Sequence, residues 1–158
     1  MKDEEKKQEF RLSGYYDMKF SWRKEGYAMR KFVEGLKDRK ILGAKCGRCG
    51  KVYVPPAPVC WLCFDDIGEN QIVQVSDTGK VVAYTIGYAD VRGAKRDDIV
   101  IPVWVQFDGA DSWIVGVLEG KGITPKEMED KGYLLKVRVV WASETKGALS
   151  DIDHFEPI

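Results

Sequence analysis

Hydrophobic residues between positions 22 and 36 recur at helical spacing. Most stand three, four or seven positions apart, which places them on one face of an α-helix. They are Trp22, Met29, Phe32, Val33 and Leu36. Ser21 is a suitable N-cap, and the basic residues after position 36 suit the negative end of the helix dipole. The pattern predicts a helical N-terminal segment, preceded by a charged stretch over residues 1–12 that is expected to fray.

From residue 71 onward the pattern changes to short segments rich in β-branched and aromatic residues. Polar positions alternate with them, which is typical of half-buried strands. The predicted strands cover 71–75, 79–86, 99–107, 113–118 and 133–141, with a weaker one at 148–155. A polar loop is expected at 90–98 and a hairpin turn at 108–111, where Asp and Gly are concentrated.

One short helix interrupts this run of strands. The residues from Thr124 to Glu127 form a capping box with Pro125 at the first helical position, so the helix should run from 125 to about 130 and end near Gly132. Three strands, a helix and two more strands is the order of a five-stranded OB-fold barrel. A five-stranded SH3-like barrel and a small sandwich remain alternatives, although neither predicts this helix.

Four cysteines form two pairs, Cys46 with Cys49 and Cys60 with Cys63. Each Cys-x-x-Cys turn lets two thiolates face one ion, and two such turns form a closed four-sulfur site of structural type, as in a rubredoxin-like zinc ribbon. Iron is the chemical alternative to zinc. A redox dithiol or two disulfides are weaker interpretations, because a redox motif is expected once, in a βαβ setting, and disulfide scaffolds belong to secreted chains.

Composition and charge suggest regions with different surfaces. The formal net charge of the 158 residues is zero, yet residues 1–51 hold 15 Lys and Arg against eight Asp and Glu, and residues 52–158 hold ten against 17. The expected organisation is an N-terminal helical segment at 1–40, a zinc ribbon at 41–66 and an OB-fold domain at 67–158. The N-terminus contains no apolar signal segment and no stretch suits a membrane span, so we expect a cytoplasmic protein.

The order of these parts resembles that of the DUF35 family, also described as zinc-ribbon and OB-fold acyl-CoA-associated proteins. The resemblance rests on the helical N-terminus, on the ribbon residues 42–50, on the strand residues 79–85 and on residues 102–105. It covers roughly residues 15 to 158. It implies a mainly β fold with N-terminal helices and a small non-catalytic subunit that accompanies a thiolase-like enzyme. In archaea the resemblance extends to the subunit that bridges acetoacetyl-CoA thiolase and 3-hydroxy-3-methylglutaryl-CoA (HMG-CoA) synthase.

The residues themselves argue against an independent enzyme. The chain has one histidine, His154, which we interpret as a solvated bystander, and the four cysteines are unavailable as nucleophiles if they bind a metal. The alternative function is binding of single-stranded nucleic acid on an aromatic barrel face. The candidate stacking residues are Tyr84, Tyr88, Trp104, Phe107 and Trp113. The acidic balance after residue 52 disfavours this alternative, because a nucleic-acid groove should be electropositive.

An aromatic cluster near the N-terminus is the predicted docking surface for a partner protein. It contains more rings than one short helix needs, and Tyr and Trp are favoured at interface hot spots. Its members are Tyr15, Tyr16, Phe20, Trp22 and Tyr27. The alternative is that these rings form a small helical core. Coenzyme A or an acyl-CoA is a candidate ligand at an interface shared with the partner, because Lys and Arg suit its phosphates.

Overall fold

The computed structural model describes residues 26–89, 94–119 and 124–158, with only the backbone described at 96, 97 and 131. These ranges contain helices α1 (Tyr27–Lys37) and α2 (Pro125–Lys131). The strands are β1 (Ile41–Lys45), β2 (Val52–Tyr53), β3 (Ile72–Val75), β4 (Thr78–Tyr84), β5 (Gly87–Ala89), β6 (Lys95–Phe107), β7 (Ile114–Leu118), β8 (Lys136–Trp141) and β9 (Ile152–Pro157). Neither of these helices is long and apolar enough to cross a membrane.

Five strands form a closed barrel in the order β4-β8-β9-β7-β6, and β6 pairs back with β4. The β7–β9 pair is parallel and the other barrel pairs are antiparallel. With α2 between β7 and β8, this is the arrangement of an OB-fold, so the predicted fold class is confirmed. The barrel interior is filled by alternate residues of the strands, as the period of two requires. They include Val81, Val103, Val105, Phe107, Val137 and Phe155.

The ribbon is a three-stranded sheet in the order β2-β1-β3. β1 pairs antiparallel with both neighbours. Four residues of β1 pair with β3, from Ile41 opposite Val75 to Ala44 opposite Ile72. β3 lies beyond residue 67, where the barrel domain was expected to begin, yet it is hydrogen-bonded within the ribbon. The chain therefore returns to the ribbon after the second cysteine pair and only then enters the barrel.

Helix α1, the ribbon and the barrel share one hydrophobic core. Phe32 and Leu36 from α1, Ile41 from β1 and Val54 after β2 belong to the same buried cluster as the barrel interior. Arg39, just after α1, donates hydrogen bonds to the carbonyls of residues 142 and 143 that follow β8. The ribbon is thus packed against the barrel rather than tethered beside it.

Sequence and structure differ most at the predicted loop 90–98. β6 already begins at Lys95, and Ala89↔Lys95 and Gly87↔Val100 pair β5 with β6. The first residues of β6 whose side chains are described are exposed, so no apolar alternation marked them as a strand. The helix α2, by contrast, is confirmed with its capping box, because the Thr124 hydroxyl accepts from the Glu127 N–H. Ser21, Trp22 and residues 1–12 lie outside the described residues.

Candidate metal centre

The structure brings the four cysteine sulfurs into one cluster. All four Sγ atoms lie within 4.8 Å of one another. Cys46 is 3.5 Å from Cys63, Cys49 is 3.6 Å from Cys60, and Cys60 is 3.3 Å from Cys63. A tetrahedral zinc ion about 2.3 Å from each sulfur would hold the sulfurs about 3.8 Å apart. The cluster therefore fits a single four-coordinate ion after only small adjustments of the side chains.

The two cysteine pairs stand on turns with the same backbone pattern. Gly50 N–H donates to Cys46 C=O at 2.9 Å, and Phe64 N–H donates to Cys60 C=O at 3.0 Å. Both residues that follow a pair have left-handed backbones, Gly50 with φ 73° and Phe64 with φ 58°. The repetition of one turn explains how two separate segments present their thiols to a common centre.

Hydrogen bonds at Cys60 favour the thiolate form that a metal requires. Burial opposes ionisation, but the Tyr53 hydroxyl at 3.2 Å and the N–H groups of Cys63 and Leu62 lower the pKa of the Cys60 thiol to about 6. The same contact with Cys60 raises the pKa of Tyr53 to about 12. Hydrogen bonding to Cys60 and burial raise the pKa of Cys63. Four crowded thiols cannot all ionise unless a cation offsets their repulsion, which a divalent ion does.

The donor set and its burial indicate a structural site. Four thiolates occupy all positions of a tetrahedral ion and leave none for water or substrate. Cys46 and Cys60 are fully buried, and with Ala44, Tyr53 and Ile67 they form a small hydrophobic cluster that is separate from the main core. The ribbon is thus organised around the sulfur cluster and its own small core.

The second turn carries three large apolar side chains that face solvent. Trp61, Leu62 and Phe64 are 62%, 66% and 80% exposed, and we call these three residues the apolar knuckle. The Trp61 ring is anchored against Tyr53, with ring centroids 4.8 Å apart. Sequence reasoning did not single out this surface. The sequence signal that could have indicated it is the difference between the two Cys-x-x-Cys turns. The second turn has the large apolar pair Trp61 and Leu62 where the first has Gly47 and Arg48.

The other residues singled out in the sequence are scattered. Tyr15, Tyr16, Phe20 and Trp22 lie outside the described residues, so the docking cluster stays a prediction. Tyr27 is the first residue of α1 and is partly buried. His154 lies on β9 opposite Val140 of β8, and its Nδ1 atom is 2.9 Å from the carboxylate of Asp153.

The aromatic residues proposed for stacking divide between core and surface. Phe107 is buried in the barrel, and Tyr84 and Trp104 are partly buried. Tyr88 and Trp113 are 54% and 55% exposed.

Comparison with known proteins agrees with this architecture. Residues 33–67 match the family model described as ChsH2, rubredoxin-like zinc ribbon domain. A DUF35-family protein of unknown function from Sulfolobus solfataricus is similar in structure, with a TM-score of 0.57, 28% identity, and coverage of 72% of this chain and 77% of that one. The structure of an Ltp2-ChsH2(DUF35) aldolase is similar with a TM-score of 0.54 and 22% identity, and the match covers 80% of this chain and 91% of that one.

Proposed function

Because the chain belongs to the DUF35 family, we propose that it is a non-catalytic, zinc-binding adaptor subunit of a thiolase-type acyl-CoA enzyme complex. The observation that carries the proposal is the combination of a closed four-sulfur centre with an exposed apolar knuckle built directly on it. The four-sulfur centre is suited to stabilising the fold, and the apolar knuckle is suited to binding a partner protein.

The non-catalytic assignment is supported by the chemistry of the site. A tetrahedral ion bound by four thiolates has no open position at which to activate water or a carbonyl group. The thiols are ligands and are not free nucleophiles. Turnover is therefore assigned to the partner.

The apolar knuckle supports docking to a folded enzyme. Exposed clusters of large apolar residues mark interaction sites, and the metal-bound turn presents this one in a fixed shape, which lowers the entropic cost of binding. The neighbouring charges are paired internally, Arg48 with Asp65 at 3.2 Å and Lys51 with Asp111 at 2.6 Å. The surface that matches it is an uncharged apolar groove on the enzyme. The similar ChsH2(DUF35) protein is itself part of an aldolase with Ltp2.

The proposed partner is a thiolase-like enzyme, with an HMG-CoA synthase as a second enzyme of the complex if the source is archaeal. Acyl-CoA would then be bound or passed on at the shared interface. The aromatic cluster that includes Tyr15, Tyr16, Phe20, Trp22 and Tyr27 is the second proposed contact with the partner.

The test of the adaptor function is co-purification from the native cell with identification of the captured enzyme. The tagged full chain should retain a thiolase-type enzyme, and the isolated chain should show no turnover of acyl-CoA substrates. Phe64→Gly should weaken capture, whereas Tyr88→Ala, a change at an exposed aromatic on β5, should not. A chain that purifies without an acyl-CoA enzyme, or equal capture by Phe64→Gly, would contradict the proposal.

The metal assignment has its own test. Elemental analysis of the purified chain should find one zinc ion per chain, and the X-ray absorption edge should show four sulfur neighbours. Cys60→Ser should reduce the metal content and lower the melting temperature, because binding of a structural metal contributes to the free energy of folding. Iron in place of zinc would correct the identity of the ion, and an oxygen or nitrogen ligand would exclude the closed site.

A further inference from the structure

Tyr53 connects the two cysteine turns of the ribbon. It lies on β2, the strand that follows the first cysteine pair, and its backbone pairs with Ala44 of β1. Its hydroxyl reaches the second cysteine pair, where the oxygen lies 3.2 Å from the Sγ atom of Cys60. The side chain therefore joins the hairpin that carries the first turn to a metal ligand of the second turn.

Packing alone does not explain why a tyrosine occupies this position. Tyr53 is 5% exposed and belongs to the small ribbon core, whose other buried members, apart from the cysteines, are Ala44, Ala57 and Ile67. A phenylalanine would fill the same space without burying a hydroxyl, and a buried hydroxyl costs free energy unless it has a hydrogen-bond partner. Because the partner of this hydroxyl is the Cys60 sulfur, the metal centre rather than the core explains the hydroxyl.

The direction of this hydrogen bond is fixed once Cys60 is a metal ligand. A coordinated thiolate carries no hydrogen, so the Tyr53 O–H donates and the sulfur accepts. The Leu62 N–H donates to the same sulfur at 3.4 Å. Hydrogen-bond donors around a metal ligand fix its orientation, and removing one typically weakens metal binding by about ten- to a hundredfold. Tyr53 is therefore placed to position the Cys60 thiolate.

The same side chain contacts the apolar knuckle. The rings of Tyr53 and Trp61 have centroids 4.8 Å apart and planes tilted by 46°, which is a favourable arrangement for an aromatic pair. Trp61 is otherwise largely in solvent, and a cavity of about 260 Å³ beside the pair is lined in part by Tyr53, Trp61 and Leu62. Because open space surrounds much of the indole ring, its orientation depends on the Tyr53 ring.

We propose that Tyr53 is a positioning residue with two roles. Its hydroxyl orients the Cys60 thiolate toward the metal, and its ring orients Trp61 for contact with the partner protein. An exposed ring that is already held in one orientation loses less conformational entropy on binding. The role of the hydroxyl does not depend on the proposed adaptor function, whereas the role of the ring rests on it. One buried side chain thus connects the geometry of the metal centre with the shape of the docking surface.

Loading the full chain with Co(II) in place of zinc tests the role of the hydroxyl. Tyr53→Phe removes the hydroxyl and keeps the ring. Without this hydrogen bond the sulfur electrons lie higher in energy, so the sulfur-to-cobalt charge-transfer band should shift to longer wavelength, and competition with a chelator should show metal binding weakened by about tenfold or more. Tyr133→Phe, at an exposed tyrosine after α2, is the control and should change neither. An unshifted band in Tyr53→Phe overturns this role, because a purely structural loss of affinity would leave the band in place.

The fluorescence of Trp61 at saturating zinc tests the role of the ring. Because the chain has five tryptophans, the Trp61 signal is taken as the difference between each protein and the same protein carrying Trp61→Phe. Tyr53→Leu removes the ring, so Trp61 should become more mobile, with lower emission anisotropy and stronger quenching by acrylamide. Tyr53→Phe keeps the ring and should match the wild type in this measurement. Unchanged Trp61 anisotropy in Tyr53→Leu overturns the role of the ring.

Two further measurements separate these roles from misfolding and from the adaptor function. If Tyr53→Leu does not retain metal, nuclear Overhauser contacts between the Tyr53 and Trp61 rings of the wild type decide, and their absence overturns the role of the ring. In the co-purification assay, metal-loaded Tyr53→Leu should capture less enzyme than Tyr53→Phe, and equal capture contradicts the use of this ring in docking. Failure of the wild type to capture any enzyme contradicts the adaptor function, while the cobalt spectrum still decides the role of the hydroxyl.

Discussion

The Lys51 ammonium donates a 2.6 Å hydrogen bond to the carboxylate of Asp111, a residue 60 positions further along the chain. Lys51 follows the first cysteine pair, and Asp111 lies in the turn between β6 and β7. The other Asp111 oxygen accepts from the Val52 N–H at 2.9 Å, and the Asp111 N–H donates to the Val52 carbonyl at 2.7 Å. Asp111 therefore fixes the ribbon to the barrel through both its side chain and its backbone N–H.

Asp111→Ala should destabilise the metal-loaded protein more than Lys51→Ala does. The lysine variant loses only the contact between two exposed groups, and such contacts contribute little. The aspartate variant also removes the acceptor of the Val52 N–H, a backbone donor that is partly buried. The free energies of unfolding in urea check this order. A lysine variant that is as unstable as the aspartate variant would show that the ion pair, rather than the backbone contact, joins the two units.

Ser112→Ala should lower the free energy of unfolding by about 1–3 kcal/mol, the cost of leaving buried polar groups unsatisfied. Ser112 is buried, and its Oγ accepts from the Val54 N–H at 2.6 Å and donates to the Val54 carbonyl at 2.9 Å. Ser143→Ala, at an exposed serine, is the matched control and should have little effect. Denaturant unfolding of both variants gives the comparison, and equal stabilities would argue against this second ribbon–barrel contact.

The stability of the chain should fall in acid partly through Asp151. Burial opposes ionisation of this carboxyl, but the N–H groups of Lys146, Ala148 and Gly147 donate to it and lower its pKa. A lowered folded-state pKa stabilises the protein fully above the unfolded value of about 3.9, and this contribution is lost as the pH falls through the folded value.

Asp151→Asn should therefore be less stable than the wild type at pH 7, and the difference in melting temperature should shrink below about pH 4. Comparing the two proteins at each pH cancels any acid-induced loss of metal that they share. Asp130→Asn, at an exposed carboxyl on α2, serves as the control and should follow the wild type. A difference that stays constant down to low pH would exclude this role for the Asp151 carboxylate.

Local signals in the sequence were sufficient to predict the elements that are stabilised by interactions between neighbouring residues. The spacing of Cys46, Cys49, Cys60 and Cys63 predicted the cluster, because a four-thiolate site requires little more than two short turns. The capping box at Thr124 predicted α2, because the cap satisfies the first N–H groups within four residues. The order of the strands around α2 was then sufficient to predict the barrel.

Contacts between distant parts of the chain could not be predicted in the same way. Nothing near β3 indicates that it pairs with β1, and nothing near Lys51 indicates Asp111, because both contacts join residues that are far apart in the sequence. The exposure of the apolar knuckle could not be predicted from the sequence either. Trp and Leu residues in a sequence normally indicate positions in the hydrophobic core, and only the folded structure shows that Trp61 and Leu62 are exposed to solvent.

Phe64 provides a test of whether the apolar knuckle serves the fold or a partner. Phe64 adopts φ 58° with 80% of its surface exposed, and the equivalent residue of the first turn is Gly50 at φ 73°. A non-glycine residue in the left-handed region costs about 1–2 kcal/mol, while glycine costs about 0.5–1 kcal/mol through chain entropy. Phe64→Gly should therefore leave the free energy of unfolding unchanged or raise it by up to about 1 kcal/mol.

Gly50→Ala is the matched change at the first turn. It has open space around the added methyl group but requires the same left-handed backbone, so it should destabilise the protein by about 1–2 kcal/mol. Unfolding in urea, with metal content measured in parallel, compares the two. A large loss of stability in Phe64→Gly would mean that the phenyl ring supports the ribbon. Retained stability together with lost enzyme capture would mean that the strain at Phe64 is maintained for binding, because the fold itself gains nothing from it.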